Sequence, residues 1–378
     1  MANKYEAMIP DHFCIQWHVT ERCNWRCRHC YQEDQKYFDL EINELLLILN
    51  NCLSLNVPWS KVRFQITGGE PFVRKDLFEF LKVLSDNAAI YGYKWVIMSN
   101  GSFLDQKTVA KLKKLKISNV QVSLEGTQRL NDEIRGQGAF TKTVQAIKVL
   151  KKNGISTSVS LTLSRKNMKN VFSLIKELDL LGVDILGVRR LVPWGQGRAM
   201  DKYLLRPIEL RDFYLRLKKV QEKFQRQGKK MIIATGCESA IFDQELLLKN
   251  HQLEYNNLRN DFHGCGVISG SCLTIMSNGD VVPCRRFPVV LGNALEKSIY
   301  DLYFSKQMKD FRNPNKAHAF CQACPNFINC IGGAKCVTYA YYQRWDVPDV
   351  QCWRAYKDLR QPSQKLKKVD NNINRKLN

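Results

Sequence analysis

Between residues 13 and 192 the chain alternates short runs rich in β-branched and aromatic residues with longer stretches of helical periodicity, and no other feature narrows the possible folds as much. The strands predicted are FCIQWHVT (13–20), VRFQIT (62–67), KWVIMS (94–99), VQVSLE (120–125), STSVSLTL (156–163) and DILGVRRLV (184–192). Helical patterns fill 40–55, 76–92, 105–116, 140–154 and 167–182, each ending near a glycine, a lysine or a polar turn. Six strands alternating with helices predict a parallel sheet with right-handed crossovers.

The strands carry more polar residues than a parallel sheet packed on both faces should. Cys14, Gln16, His18 and Thr20 alternate with Phe13, Ile15, Trp17 and Val19, and Arg63, Gln65 and Thr67 alternate with Val62, Phe64 and Ile66. Gln121, Ser123 and Glu125 repeat the pattern in the fourth strand, and Ser156, Ser158, Ser160 and Thr162 in the fifth. A dry sheet reads as nearly continuous apolar runs. The alternatives are a face open to bulk water, or the lumen of an incomplete barrel that holds a polar ligand. With five or more helices to cover one face, the second is expected, and the loops after the C-terminal strand ends would then form the site. The fold expected is α/β, a partial (β/α)6 TIM-like barrel.

A long helical pattern, RPIELRDFYLRLKKVQEKFQRQG (206–228), follows the last of these strands; beyond residue 230 periodicity weakens, and from 265 cysteine, glycine and proline dominate. The organisation expected is a barrel over 10–228, a linker or helical bridge over 229–262, a small metal-stabilised domain over 263–356 and a basic tail over 357–378. No basic start with an apolar run stands at the N-terminus, and no stretch approaches 18 uninterrupted apolar residues, so neither export nor a membrane span is expected and the location expected is cytoplasmic. There the 14 cysteines point to metal or redox chemistry rather than disulfides. The net charge of +22 would attract polyanions.

Cysteine placement sharpens this. In TERCNWRCRHCYQ (20–32), Cys23, Cys27 and Cys30 follow the first strand directly, and none occurs between 53 and 236. Three thiolates leave one tetrahedral position of a zinc ion unfilled, although His29 could offer a fourth ligand. They also suffice for a [4Fe–4S] cluster with one iron open to a ligand.

The CxxxCxxC loop followed by Tyr31 resembles the cluster loop of the radical S-adenosylmethionine (SAM) superfamily. TGGEP after the second strand, with Gly68, Gly69, Glu70 and Pro71, resembles that superfamily's segment for the SAM amino group; glycine backbone can approach a ligand closely. SLEG, with Ser123 and Glu125, matches contacts to the SAM ribose and methionine. Arg135 resembles the arginine that pairs with the SAM carboxylate, its alternative reading being a solvated loop charge. RRLVPWGQGR, with Leu191, resembles the adenine-side segment. The likeness covers 13 to about 198. It implies reductive cleavage of SAM to methionine and a 5′-deoxyadenosyl radical that abstracts hydrogen from substrate, with electrons from a flavodoxin- or ferredoxin-type donor.

The C-terminal cysteines resemble the SPASM extension of the same superfamily. LTIMSNGDVVP between Cys272 and Cys284 reads as a hairpin with Asn278-Gly279 as a two-residue turn. On that pattern Cys265, Cys272, Cys284 and Cys336 hold one auxiliary [4Fe–4S] cluster and Cys321, Cys324, Cys330 and Cys352 a second, three clusters in all; two zinc knuckles are the alternative. Five residues separate Cys330 from Cys336 where the usual pattern has three.

Arg285 and Arg286 follow Cys284, where sulfatase-maturing relatives carry an aspartate base, so a different substrate is expected. The leading expectation is a maturase that crosslinks or epimerises a ribosomally made precursor peptide. Little chain precedes the barrel, which suggests a separate leader-peptide-binding protein. Haem-type tetrapyrrole synthesis is the alternative within the superfamily, and a basic zinc protein binding nucleic acid the alternative of another class; the latter leaves the polar barrel face and GGEP unexplained. Cys237 is a candidate hydrogen donor if the reaction is an epimerisation. Cys14 and Cys52 read as small buried hydrophobes.

Overall fold

The computed structural model describes residues 9, 10, 12–32, 38–235 and 265–356. Seven parallel strands run in chain order: β1 (Phe13–His18), β2 (Val62–Thr67), β3 (Lys94–Met98), β4 (Asn119–Ser123), β5 (Thr157–Leu163), β6 (Ile185–Arg190) and β7 (Ile232–Ala234). Helices α1 (Ile42–Leu53), α2 (Leu77–Tyr91), α3 (Gln106–Lys114), α4 (Gln128–Arg135), α5 (Ala139–Lys152), α6 (Val171–Leu180) and α7 (Pro207–Arg226) cross between them. The six predicted strands stand within two residues of their expected limits. Helix α4 was not predicted, because Gln128–Arg135 is short and lacks a broad apolar stripe. The segment 229–262 begins not as a linker but with β7, which pairs in parallel with β6.

The alternation divides the sheet as expected. Ile15, Trp17, Phe64, Ile66, Val120, Val122, Leu161, Leu186 and Val188 are sealed in the core beneath the helices. Trp17 meets Phe80 of α2 edge-on at 5.1 Å, an arrangement that favours the ring quadrupoles beyond area burial alone. On the other face Gln16, Gln65, Asn119, Gln121, Ser123, Ser160 and Thr162 stay partly accessible. In register, Gln16 lies beside Gln65 and Gln121 beside Ser158, so these residues form rows across the concave side.

Beyond β1 the sheet continues with C-terminal strands. β8 (Cys272–Ile275) pairs in parallel with β1, and β9 (Asp280–Val282) and β10 (Gly292–Asn293) follow antiparallel, so among the described residues the ten-stranded sheet runs from β10 to β7 without closing. The β8–β9 hairpin forms, but with a three-residue loop: Met276 and Asp280 pair through their backbones, and Gly279 takes the left-handed φ of +84° that such a loop requires. The cysteine-rich region is thus hydrogen-bonded to the barrel's first strand.

A buried ion pair ties the other side. Arg190, ending β6, holds Asp349 at 2.8 and 3.1 Å, and Asp349 also accepts from the backbone N–H of Ala334. Gln351 donates to the carbonyl of Leu205 at 2.9 Å. Both partners of the pair are about 1 % exposed, so each depends on the other for its charge.

Candidate cluster and SAM site

Three loops at the C-terminal strand ends clasp the segment carrying Cys23, Cys27 and Cys30. From the loop after β2, Gly69 N–H donates to the Thr20 carbonyl and Glu70 N–H to that of Arg22, both at 2.8 Å. At the end of α4, the Ile134 carbonyl accepts from Arg28 N–H. From the loop after β6, Gly197 N–H donates to the Cys30 carbonyl at 2.8 Å and Gln196 N–H to that of Gln32.

This packing explains the glycines differently from the sequence reading. A Cβ on Gly68 would lie 2.2 Å from the Thr20 carbonyl oxygen, and one on Gly69 2.2 Å from that of Arg22. The pair is bare because the cysteine loop's backbone occupies the space. The carboxylate of Glu70 is likewise engaged: it accepts from Ser99 Oγ at 2.9 Å and from the N–H groups of Asn100 and Phe72 at 2.6 and 3.3 Å. Burial pushes its carboxyl up to about 7 against the pull of these donors. Pro71 starts the buried turn that Glu70 caps.

Burial raises all three loop thiols, so neighbouring donors must favour the thiolates. Cys23 has Trp25 N–H at 3.4 Å and Asn100 Nδ2 at 3.9 Å, and Cys27 has an Arg135 guanidinium nitrogen at 3.8 Å. Arg135 is no solvated loop charge. It is buried against the fully buried Glu125, which also takes His29 Nε2 at 3.1 Å and Thr162 N–H at 2.8 Å. Burial alone would raise the Glu125 carboxyl, but Arg135 and His29 hold it down at about 2. In this structure Arg135 therefore pairs with Glu125 beside the cysteines. Tyr31 is partly buried, with the Arg285 guanidinium 5.2 Å from its ring centre. Ser123 lines the concave face, and the Leu191 side chain packs away among Met200 and Leu204.

The three thiols stand beside cationic and N–H donors, and buried His29 Nδ1 has no hydrogen-bond partner. This soft, anionic donor set with positive neighbours fits a cluster held by three thiolates. In the second field Cys272 and Cys284 end the two arms of the hairpin with Cys265 nearby; the Cys272 thiol donates to the Pro283 carbonyl at 3.4 Å, and Cys272 together with Arg286 lowers the Cys284 thiol. Cys321, Cys324, Cys330 and Cys352 form a further mutually interacting group, and Cys336 is buried at the start of the helix Lys335–Tyr342. Among the described residues no three His, Cys, Asp or Glu side chains converge closely enough to chelate one ion. Cys237 lies outside the described residues. Cys14, read as a buried hydrophobe, faces the concave side as the register partner of Cys272, a placement that only the β1–β8 pairing creates.

A largely parallel α/β sheet whose first loop presents three thiols, continued at its β1 edge by the cysteine-rich region with two further thiol groups, has the arrangement of an iron–sulfur enzyme of the half-barrel type. A model of the radical SAM superfamily matches residues 17–178, and a model of the SPASM iron–sulfur cluster-binding domain matches 265–325. The chain belongs to the radical SAM superfamily and carries a SPASM domain; its cofactors are SAM and three [4Fe–4S] clusters. An AdoMet-dependent heme synthase of Methanosarcina barkeri is 26 % identical over 366 residues, covering 93 % of this chain and 98 % of that one. The mycofactocin maturase MftC of Mycobacterium ulcerans is 26 % identical over 367 residues, covering 94 % and 92 %. Streptococcus suis SuiB bound to its precursor peptide SuiA superposes with a TM-score of 0.68 at 18 % identity, covering 89 % of this chain and 75 % of that one. The alternative of a basic zinc protein that binds nucleic acid gives way to these matches. No helix among the described residues is long and apolar enough to cross a membrane.

Proposed function

We propose that this enzyme modifies a ribosomally made peptide. The observation that carries this reading is the concave face: beside the cations Arg63 and Arg189, its accessible residues Gln16, Gln65, Asn119, Gln121, Ser123, Ser160 and Thr162 are neutral amides and hydroxyls, which pair naturally with peptide N–H and C=O groups. A tetrapyrrole, with several carboxylates on an apolar ring, calls for aromatic surface as well as cations, whereas the rows between Arg63 and Arg189 are mostly amides and hydroxyls. The similarity to MftC supports the same substrate class, while that to heme synthases keeps the tetrapyrrole reading as the comparison to beat.

In this reading Cys23, Cys27 and Cys30 hold the cluster that binds SAM. The backbone of Gly68 and Gly69, with Tyr31, Ser123 and the backbone at Leu191, borders the SAM site. Glu70 and Pro71 position its edge, and the Arg135–Glu125 pair sets its charge. Cys265, Cys272, Cys284 and Cys336 hold the inner auxiliary cluster, and Cys321, Cys324, Cys330 and Cys352 the outer one. When bound, the first cluster supplies the electron that cleaves SAM reductively. The protein's own residues hold the cluster loop rigid, keep positive charge beside its thiolates and shield the concave chamber with the C-terminal domain. A thioether or carbon–carbon crosslink and an inverted α-carbon are the outcomes this chemistry serves, with Cys237 the hydrogen donor in the last case. A flavodoxin or ferredoxin would deliver the electron, and a separate protein would present the leader peptide.

The test is 5′-deoxyadenosine formation by anaerobically reconstituted enzyme with SAM and dithionite, challenged in parallel with short peptides encoded beside its gene and with iron coproporphyrin III. A mass change in one of the peptides, with no turnover of the porphyrin, is expected. Turnover of the porphyrin alone would replace this reading with the tetrapyrrole one.

A further inference from the structure

The extra residues between Cys330 and Cys336 bring a lysine into the interior. In CIGGAKC the chain turns through Ile331, Gly332 and Gly333, all with left-handed φ between +43° and +83°, before Lys335 begins the next helix. Gly333 must be bare because a Cβ there would lie 2.5 Å from the Asp349 side chain. The turn lays Lys335 inward, where it is 2 % exposed. A buried ammonium is costly unless opposite charge surrounds it.

The surroundings belong to both auxiliary thiol groups. Cys336 follows Lys335 in its helix, Cys330 precedes the turn, and the groups whose charge bears on the buried ammonium are Cys265, Cys321, Cys330 and Asp349. Lys335 Nζ and Cys321 Sγ both border the point where a Gly332 Cβ would stand, at 2.9 and 3.8 Å. Asp349 is already neutralised by Arg190, so the ammonium is left to serve the sulfurs. Trp345, 5.8 Å from Nζ, helps to keep water from that side.

We propose that Lys335 is a positioning residue for electron flow: its fixed positive charge, shared between the inner and outer auxiliary clusters, raises the reduction potentials of both and so makes the pair a sink for an electron released by the substrate. The proposal rests on the ligand assignment above and not on the substrate's identity. Reduction adds one negative charge to a cluster, and a cation held in the same low-dielectric interior stabilises that state. Passage from inner to outer cluster oxidises the one and reduces the other by a single electron and moves no proton.

The experiment is an EPR-monitored redox titration of the reconstituted holoenzyme, with iron and sulfide counted alongside, for wild type, Lys335→Met, Lys335→Gln and Lys335→Arg. The expected result is a fall in both auxiliary midpoint potentials in the Met and Gln variants at full iron content. The Arg variant should restore both, and SAM cleavage without substrate should be unchanged throughout. An unchanged potential at either auxiliary cluster, in protein that keeps its iron, overturns the shared role. Loss of four or more irons in both the Met and the Gln variant overturns it too, since Lys335 would then only hold a ligand loop together. Failure of the peptide assignment would leave these potentials untouched, so the two ideas fail separately.

Discussion

Replacing Gly69 by alanine tests why the GGEP glycines are there. The added Cβ would stand 2.2 Å from the Arg22 carbonyl oxygen and 2.6 Å from the Glu21 carbonyl oxygen, with no flexible side chain to yield. Comfortable carbon–oxygen contact needs the two backbones to part by roughly 1 Å. That separation breaks the hydrogen bonds from Gly69 to Thr20 and from Glu70 to Arg22. Two lost bonds at about 1 kcal/mol each, with about 1–3 kcal/mol for overpacking, give a destabilisation of about 3–5 kcal/mol centred on the cysteine loop. The variant should lose the SAM-binding cluster itself, its iron falling from about twelve to about eight per chain, and SAM binding should fail as a consequence. Iron and sulfide analysis after anaerobic reconstitution, with the urea midpoint from the same preparation, measures both effects. Gly92→Ala is the control: no atom lies within 4 Å of its Cβ, and only the φ of +81° is strained, at about 1 kcal/mol. Retention of about twelve irons with weakened SAM binding in Gly69→Ala would refute this account and return the glycines to direct ligand contact.

Changing Cys23, Cys27 and Cys30 together to alanine should leave about eight irons and abolish SAM cleavage, and retained cleavage would remove these residues from the site. Arg190→Met strands Asp349 in the interior and should cost about 3–5 kcal/mol in urea denaturation, whereas Arg190→Met with Asp349→Leu should recover part of that loss because no unpaired charge is left. Arg135→Met should destabilise the protein most above pH 5. Glu125, held down at about 2, contributes stability that is present above its unfolded value near 4 and is lost as pH falls toward 2, so the gap to wild type should close on acidification. A gap that widens toward low pH would mean that Glu125 is not the partner that matters.

Local sequence determined a good deal of this protein, because the interactions that set it are short in range. Strand and helix periodicity placed six strands within two residues, and the polar alternation in Gln16, Gln65, Gln121 and Ser160 announced an accessible concave face. Three cysteines in eight positions announced a cluster loop. What the sequence left undetermined depends on which distant backbones meet. The pairing of β8 with β1 sets Cys14 beside Cys272, and no run of neighbouring residues encodes it. The glycines of GGEP read as room for a ligand until Thr20 and Arg22 were found occupying that room. Arg135, at the end of a short helix without an apolar stripe, is fixed by Glu125 ten residues away and by the loop of Cys27. Lys335 looks like one more surface cation in a chain of net charge +22, and only the turn over Asp349 shows that it lies among thiols. A charge's role depends on burial and on its partners, and both are properties of the folded chain rather than of its local pattern.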